Sequence, residues 1–181
     1  MPQSDARARL VVFAAVVLAV VVGGVGLAIA LFGGRSPTEP SPQPADFLTA
    51  ALARAQAAGE PFPELTEISL GVGGDCLRLV VADDVEERVA GLRDATDLGR
   101  YDGMLFVFDA PSNSSFTMSG VTVPLDIAWY TASGNPVGRA QMEPCPSRAV
   151  DCPVYSARSQ YRFAVETLGG ELPVGPLNGC S

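Results

Sequence analysis

The sequence predicts a mainly β fold, a small β-sandwich or partly closed barrel with one covering helix, preceded by a single transmembrane helix. Three observations predict it. Leu10 to Phe32 is an apolar run of 23 residues without a charge. From Cys76 onward, short runs of branched and aromatic residues alternate with Gly, Pro, Asn and Ser, the signature of strands divided by turns. Four cysteines, at positions 76, 145, 152 and 180, are spread through that same region, as in a disulfide-stapled exported domain.

The apolar run is long enough to cross a bilayer, since a helix rises about 1.5 Å per residue. Arg7 and Arg9 precede it and Arg35 follows, so the positive-inside rule places the short N-terminus in the cytoplasm. The expected organisation is a cytoplasmic segment 1–9, a membrane span 10–32, a Pro-rich linker with a short amphipathic helix over 33–66, and an extracytoplasmic β domain over 67–181. A cleaved signal peptide ending near Ala28-Ile29-Ala30 is the competing reading. Either exports the same domain, to a single-pass position at the cell membrane or beyond it. In the linker, GGRSPTEPSPQP favours extended backbone. Ala45 to Gly59 then carries helix formers, with Phe47, Leu48, Ala51, Leu52 and Ala55 near one face.

Glu67 to Val72 and Cys76 to Ala82 read as strands, the second with Leu77, Leu79 and Val81 inward and Arg78 opposite. Asp84 opens a helix, because Asp84 and Glu87 have capping-box spacing, and Val85, Val89 and Leu92 form its apolar edge. Met104, Phe106 and Phe108 alternate with Leu105 and Val107, so both faces of that strand are apolar and it is central or covered. Leu125, Ile127 and Trp129 alternate with Asp126, Ala128 and Tyr130, and Ser133-Gly134-Asn135 turns the chain into a hairpin with Pro136 to Met142. Tyr161 to Thr167 supplies another strand, with Tyr161, Phe163 and Val165 on one side. Three pairings of the cysteines are possible. The compact one joins Cys145 to Cys152 across PCPSRAVDCP and leaves Cys76 to Cys180, tying the first domain strand to the chain's end.

Several segments together carry a family pattern: Val81-Ala82-Asp83 followed by Glu86-Glu87-Arg88-x-x-Gly91-Leu92, then Asp102 to Phe108, Phe116-Thr117-Met118, Val123 to Ile127, Glu143-Pro144-Cys145, and Tyr161-Arg162-Phe163. In this order the chain resembles the bacterial and archaeal family catalogued as domain of unknown function 192, over roughly Glu67 to Leu172. The resemblance implies a predominantly β domain, commonly exported or membrane-tethered, and no established activity. Where the family has Gly-Leu-Met this chain has Gly91-Leu92-Arg93, and Phe-Trp-Met-Lys-Asn-Thr becomes Phe116-Thr-Met-Ser-Gly-Val121, losing an aromatic, a cation and an amide.

Composition removes several chemistries. All 12 basic residues are Arg, with no Lys and no His, which excludes His acid–base catalysis, His-ligated zinc, Lys Schiff bases and a phosphate-loop lysine from this chain's own side chains. From Ala45 onward 18 acidic residues face 9 Arg, a formal charge of −9, which repels nucleic acid. Ser112, Ser114 and Ser115 lack a His or Lys partner for nucleophilic catalysis. The sequence therefore points to a membrane-anchored extracytoplasmic binding or accessory domain for a glycan, small molecule or envelope protein. No cofactor, resident metal or catalytic residue is assigned. Its candidate ligand-binding residues are Asn113, Thr117, Ser119, Asp126 and Tyr130, which bring hydroxyls, acceptors and an aromatic together if their strands pair. The alternatives are an envelope interaction or structural module, and a metal- or carboxylate-dependent hydrolase using Asp102, Asp109, Asp126 or Asp151.

Overall fold

Strand Gly103–Ser112 (β4) is apolar on both faces because it lies in the middle of an open sheet with a core on each side. The computed structural model describes residues 44–146 and 151–180. Met104 and Phe106 enter one core, while Leu105 and Val107 enter the other. Strand Asp75–Ala82 (β3) lies parallel to β4, and Tyr161–Leu168 (β9) lies antiparallel on its other side. The rest of the main sheet is Gln56–Ala57 (β1), Thr66–Val72 (β2), Leu125–Tyr130 (β6), Pro136–Met142 (β7) and Leu177–Asn178 (β10). The order is β1-β2-β3-β4-β9-β6-β7, with β10 also pairing β2. Phe116–Thr117 (β5) and Val154–Tyr155 (β8) form a separate two-stranded ribbon.

This sheet corrects the expected sandwich or partly closed barrel. Its outer strands, β1 and β7, do not pair with each other, and one sheet separates two cores instead of two sheets enclosing one. Topology supplies the reason. A parallel β3–β4 pair needs a crossover, and the connection between them carries helix Val85–Ala90 (α2). The opposite face is covered by helix Pro44–Leu52 (α1), whose Leu48 is 1 % exposed, and by Leu172 and Leu177 near the C-terminus. Among the described residues two helices, α1 and α2, accompany the sheet.

Among the described residues no helix is long and apolar enough to cross a membrane, and the expected span 10–32 lies outside the described residues, as do linker residues 33–43. No described helix spans a membrane, which corrects the expected transmembrane architecture, single-pass extracytoplasmic location, membrane partner and envelope context. The amphipathic segment packs on the domain. It leaves the helix after Leu52 and returns as β1, whose Gln56 and Ala57 pair with Glu67 and Thr66.

The sequence features that hold locally do so for local reasons. Asp84 accepts from the Glu87 amide at 2.8 Å and the Glu87 carboxylate accepts from the Asp84 amide at 3.2 Å, completing the capping box. Helix α2 stops at Ala90 because Gly91 takes a positive φ of 53° at its C-cap. Gly103 is required where β4 meets β9, since a Cβ there would stand 2.1 Å from the Glu166 carbonyl oxygen. Both disulfides of the compact pairing are formed, Cys76–Cys180 and Cys145–Cys152. A register shift in β4 between Val107 and Ser112 accompanies one departure in β9: Tyr161 joins the first core, whereas Phe163 and Val165 join the second.

Candidate functional site

The first core is rich in aromatic rings and incompletely covered. Phe116 stands edge-on to Phe106 at 5.0 Å, Phe108 edge-on to Tyr161 at 5.1 Å, and the Tyr161 hydroxyl donates to the Ser114 carbonyl at 2.7 Å. These contacts pin residues 114–118 along one side of the sheet. Helix α2 stands along the other side without a single buried residue. Between them lies a cleft of about 410 Å³.

Its floor is Phe106, Leu125, Met118 and Val121. Val85 and Val89 of α2 face it while remaining 62 % and 59 % exposed. Two guanidinium groups belong to its wall, and both are already engaged. Arg88 donates to the carbonyls of Asp83 and Val107 and lies over the Phe108 ring at 5.1 Å. Arg93 donates from Nε to the Ser119 carbonyl at 3.0 Å, tying the end of the helix segment to the opposite wall. The hydroxyls of this wall are also partnered: Ser114 with Ser112, Ser115 with Ser156, and Thr117 as acceptor from the Ser119 amide.

Glu166 differs from all of these. It lies on β9 between Met104 of β4 and Ile127 of β6, lines the cleft, and is 6 % exposed. No described residue gives its carboxyl a hydrogen bond or an ion pair, and burial alone pushes its pKa up to about 8. A carboxyl so placed either holds its proton or waits for a cation.

The sequence-derived candidates separate onto two faces of the sheet. Thr117 lines the cleft, Ser119 sits beside it through its bond with Thr117, and Asn113 lies in the adjoining loop. Asp126 is on the opposite face, 0 % exposed, accepting from Arg139 Nη2 at 3.1 Å and from the Gly170 amide at 3.0 Å. Tyr130 is buried in the second core, where burial raises its phenol pKa to about 12. Glu166 itself was missed. Its signal was a lone carboxylate within YRFAVETL, directly after Phe163, Ala164 and Val165, which are apolar on both faces.

A second cleft, of about 640 Å³, lies on the other side of α2 and is rimmed by Glu64, Glu86, Glu87 and Asp97. The metal-dependent hydrolase alternative is corrected: among the described residues no three His, Cys, Asp or Glu side chains stand together to hold an ion. Asp102 instead accepts from the Arg78 amide at 2.7 Å, and Asp126 is spent on Arg139 and Gly170.

These features define a class, an open β-sheet domain with a helix-flanked cleft on one face. Residues 68–173, more than half of the chain, match the family DUF192, described as "Uncharacterized ACR", and the chain belongs to that family. It is similar to a crystal structure of a protein of unknown function from Novosphingobium aromaticivorans DSM 12444, with 24% identity and a TM-score of 0.54, over 71% of this chain and 96% of that one. It is also similar to a provisionally named transcription regulator from Sinorhizobium meliloti 1021, with 22% identity and a TM-score of 0.49, over 61% of this chain and 90% of that one. No curated protein matches the chain.

Proposed function

We propose that this chain is a binding domain that takes a small, mostly apolar molecule into the cleft between α2 and residues 114–118. The observation that carries the reading is the cleft itself, about 410 Å³ with an apolar floor and two exposed valines at its edge. Small-molecule sites are of this size and character, roughly 300 to 1,000 Å³, with a few polar groups fixing orientation. Thr117 supplies such a group from among the sequence candidates, with Ser119 and Asn113 close by, and Glu166 supplies the most distinctive one. Asp126 and Tyr130 have no part in it, since they face the other core. No reaction is assigned to the site.

Titration of the isotope-labelled protein with n-hexanol, n-hexylamine and hexanoate tests this. At least one probe is expected to shift the backbone resonances of Val85, Val89 and Met118 in a saturable way. Val89→Trp, a change at an exposed position that fills the cleft from its edge, is expected to weaken that binding about tenfold without unfolding the protein. If no probe moves those resonances at millimolar concentration, the cleft is not a binding site.

A further inference from the structure

We propose that the cleft selects ligands carrying a basic nitrogen, an apolar primary amine whose ammonium group pairs with Glu166. The inference rests on the binding function proposed above and deepens it. Glu166 is 6 % exposed, lines the cleft, and has no partner among the described residues. Every other polar side chain lining the cleft has one. Arg88 and Arg93 bond backbone carbonyls, and Ser114, Ser115 and Thr117 bond neighbouring hydroxyls or an amide.

The groups facing Glu166 explain why a cation is the complement. Its sheet neighbours Met104 and Ile127 are apolar, and Phe106 and Leu125 complete the floor. The charged residues of the surrounding wall are Arg88 on α2 and Arg93 just after it. Neither guanidinium lowers the Glu166 pKa, which is raised by desolvation alone. The carboxyl therefore lacks a charge partner within reach. A neutral carboxylic acid offers one donor, whereas the ionised group accepts several hydrogen bonds, and an ammonium supplies three donors and the opposite charge in the same low-dielectric place. The chain contains no Lys, so none of its own side chains can bring an ammonium group to this place. The apolar floor then accommodates the carbon skeleton attached to the nitrogen.

Binding is a proton exchange. The protein's Glu166 carboxylic acid and a protonated amine give the carboxylate–ammonium pair and one released proton. Because the pKa of the empty site is about 8, the cost of ionisation at pH 7 is about one tenfold step, which a desolvated charge pair exceeds. The affinity for n-hexylamine is expected to rise about tenfold per pH unit from 6 toward 8 and then level off, since the amine stays protonated throughout. Affinity for n-hexanol is expected to change less than twofold. Calorimetry at pH 7 in buffers of different ionisation enthalpy is expected to show release of close to one proton with the amine and none with the alcohol. Glu166→Gln is expected to abolish the pH dependence and weaken the amine at least tenfold at pH 8, while leaving the alcohol unchanged. The wild-type pH profile and proton count decide the matter even if that variant folds poorly. Hexanol or hexanoate binding as tightly as hexylamine overturns the amine preference and leaves the cleft a binding site. Failure of all three probes overturns both.

Discussion

Two carboxylates are buried in the same sheet with opposite treatment. Asp126 carries an Arg139 guanidinium and the Gly170 amide on Oδ2, which offset part of its burial by charge and hydrogen bonding, while its Oδ1 is buried without a hydrogen-bond partner. Glu166 has no such compensation, and it should cost stability wherever the unfolded chain is ionised and the folded chain is not. Its folded pKa of about 8 lies above the roughly 4.3 of a solvated glutamate. Below about pH 4 the group is protonated in both states and stability is full; as pH rises toward 8 that stability is lost, and above 8 the curve flattens. The total is on the order of 5 kcal/mol. Glu166→Gln does not titrate, so its melting temperature is expected to exceed that of the wild type by a margin that grows from pH 5 to pH 8, read by circular dichroism. Coincident melting curves across that range would show that the carboxyl is solvated in the folded protein. A residue whose removal stabilises a protein while weakening a ligand is the signature expected of a binding group.

At the scale of the element, α2 is held by its ends instead of its face. None of its residues is buried, and its anchorage is the Asp84–Glu87 capping box, the Arg88 bonds to Asp83 and Val107, and buried Leu92 just beyond Gly91. Asp84→Ala removes a cap worth about 1 kcal/mol. Because no core residue moves with it, the loss is expected as faster amide exchange at residues 87–91, by roughly fivefold, with little change in the global melting temperature. A global loss of several kcal/mol would mean that the helix is integral to the core. The capping box was legible because it lies within four consecutive residues. The orientation of Val85 and Val89 was not: their spacing reads as a core-facing edge, yet they border an opening left by the crossover. The same limit applies to Glu166. Alternation within β6 put Asp126 on the face opposite to Leu125 and Ile127, as found, but only pairing with β4 and β6 decides where a β9 carboxylate points. That pairing joins segments some sixty residues apart, as in Met104 and Glu166, and no local pattern encodes it.

For the whole molecule, the apolar alternation that announced strands was sound, while closure into a sandwich or barrel was not, because both-faced strands are equally served by one open sheet between two covers. The two disulfides act on different parts of that plan. Cys76–Cys180 closes a separation of 104 residues and fastens the C-terminal segment, whose Leu177 pairs with Val72, over the second core. Cys145–Cys152 closes only 7 residues and sits against the cleft wall. The Gly120 amide donates to the Cys145 carbonyl at 2.9 Å, the Cys145 amide to the Val121 carbonyl at 3.0 Å, and β8 just beyond Cys152 pairs with β5. Loop-closure entropy assigns about 4.7 kcal/mol to the long bridge and about 2.4 to the short one. Replacing Cys76 and Cys180 by Ser is therefore expected to lower the urea-unfolding free energy by several kcal/mol. The cleft, built on the other face, should keep its probe affinity as long as the protein stays folded. Replacing Cys145 and Cys152 by Ser is expected to do the reverse, costing less in urea but weakening n-hexanol and n-hexylamine alike, since residues 116–121 lose their brace while Glu166 on β9 is untouched. Equal loss of affinity in both double variants would show that the cleft depends on global stability and not on the wall. A loss confined to the amine would place the short bridge in the charge pairing itself, which its position on the wall opposite α2 argues against.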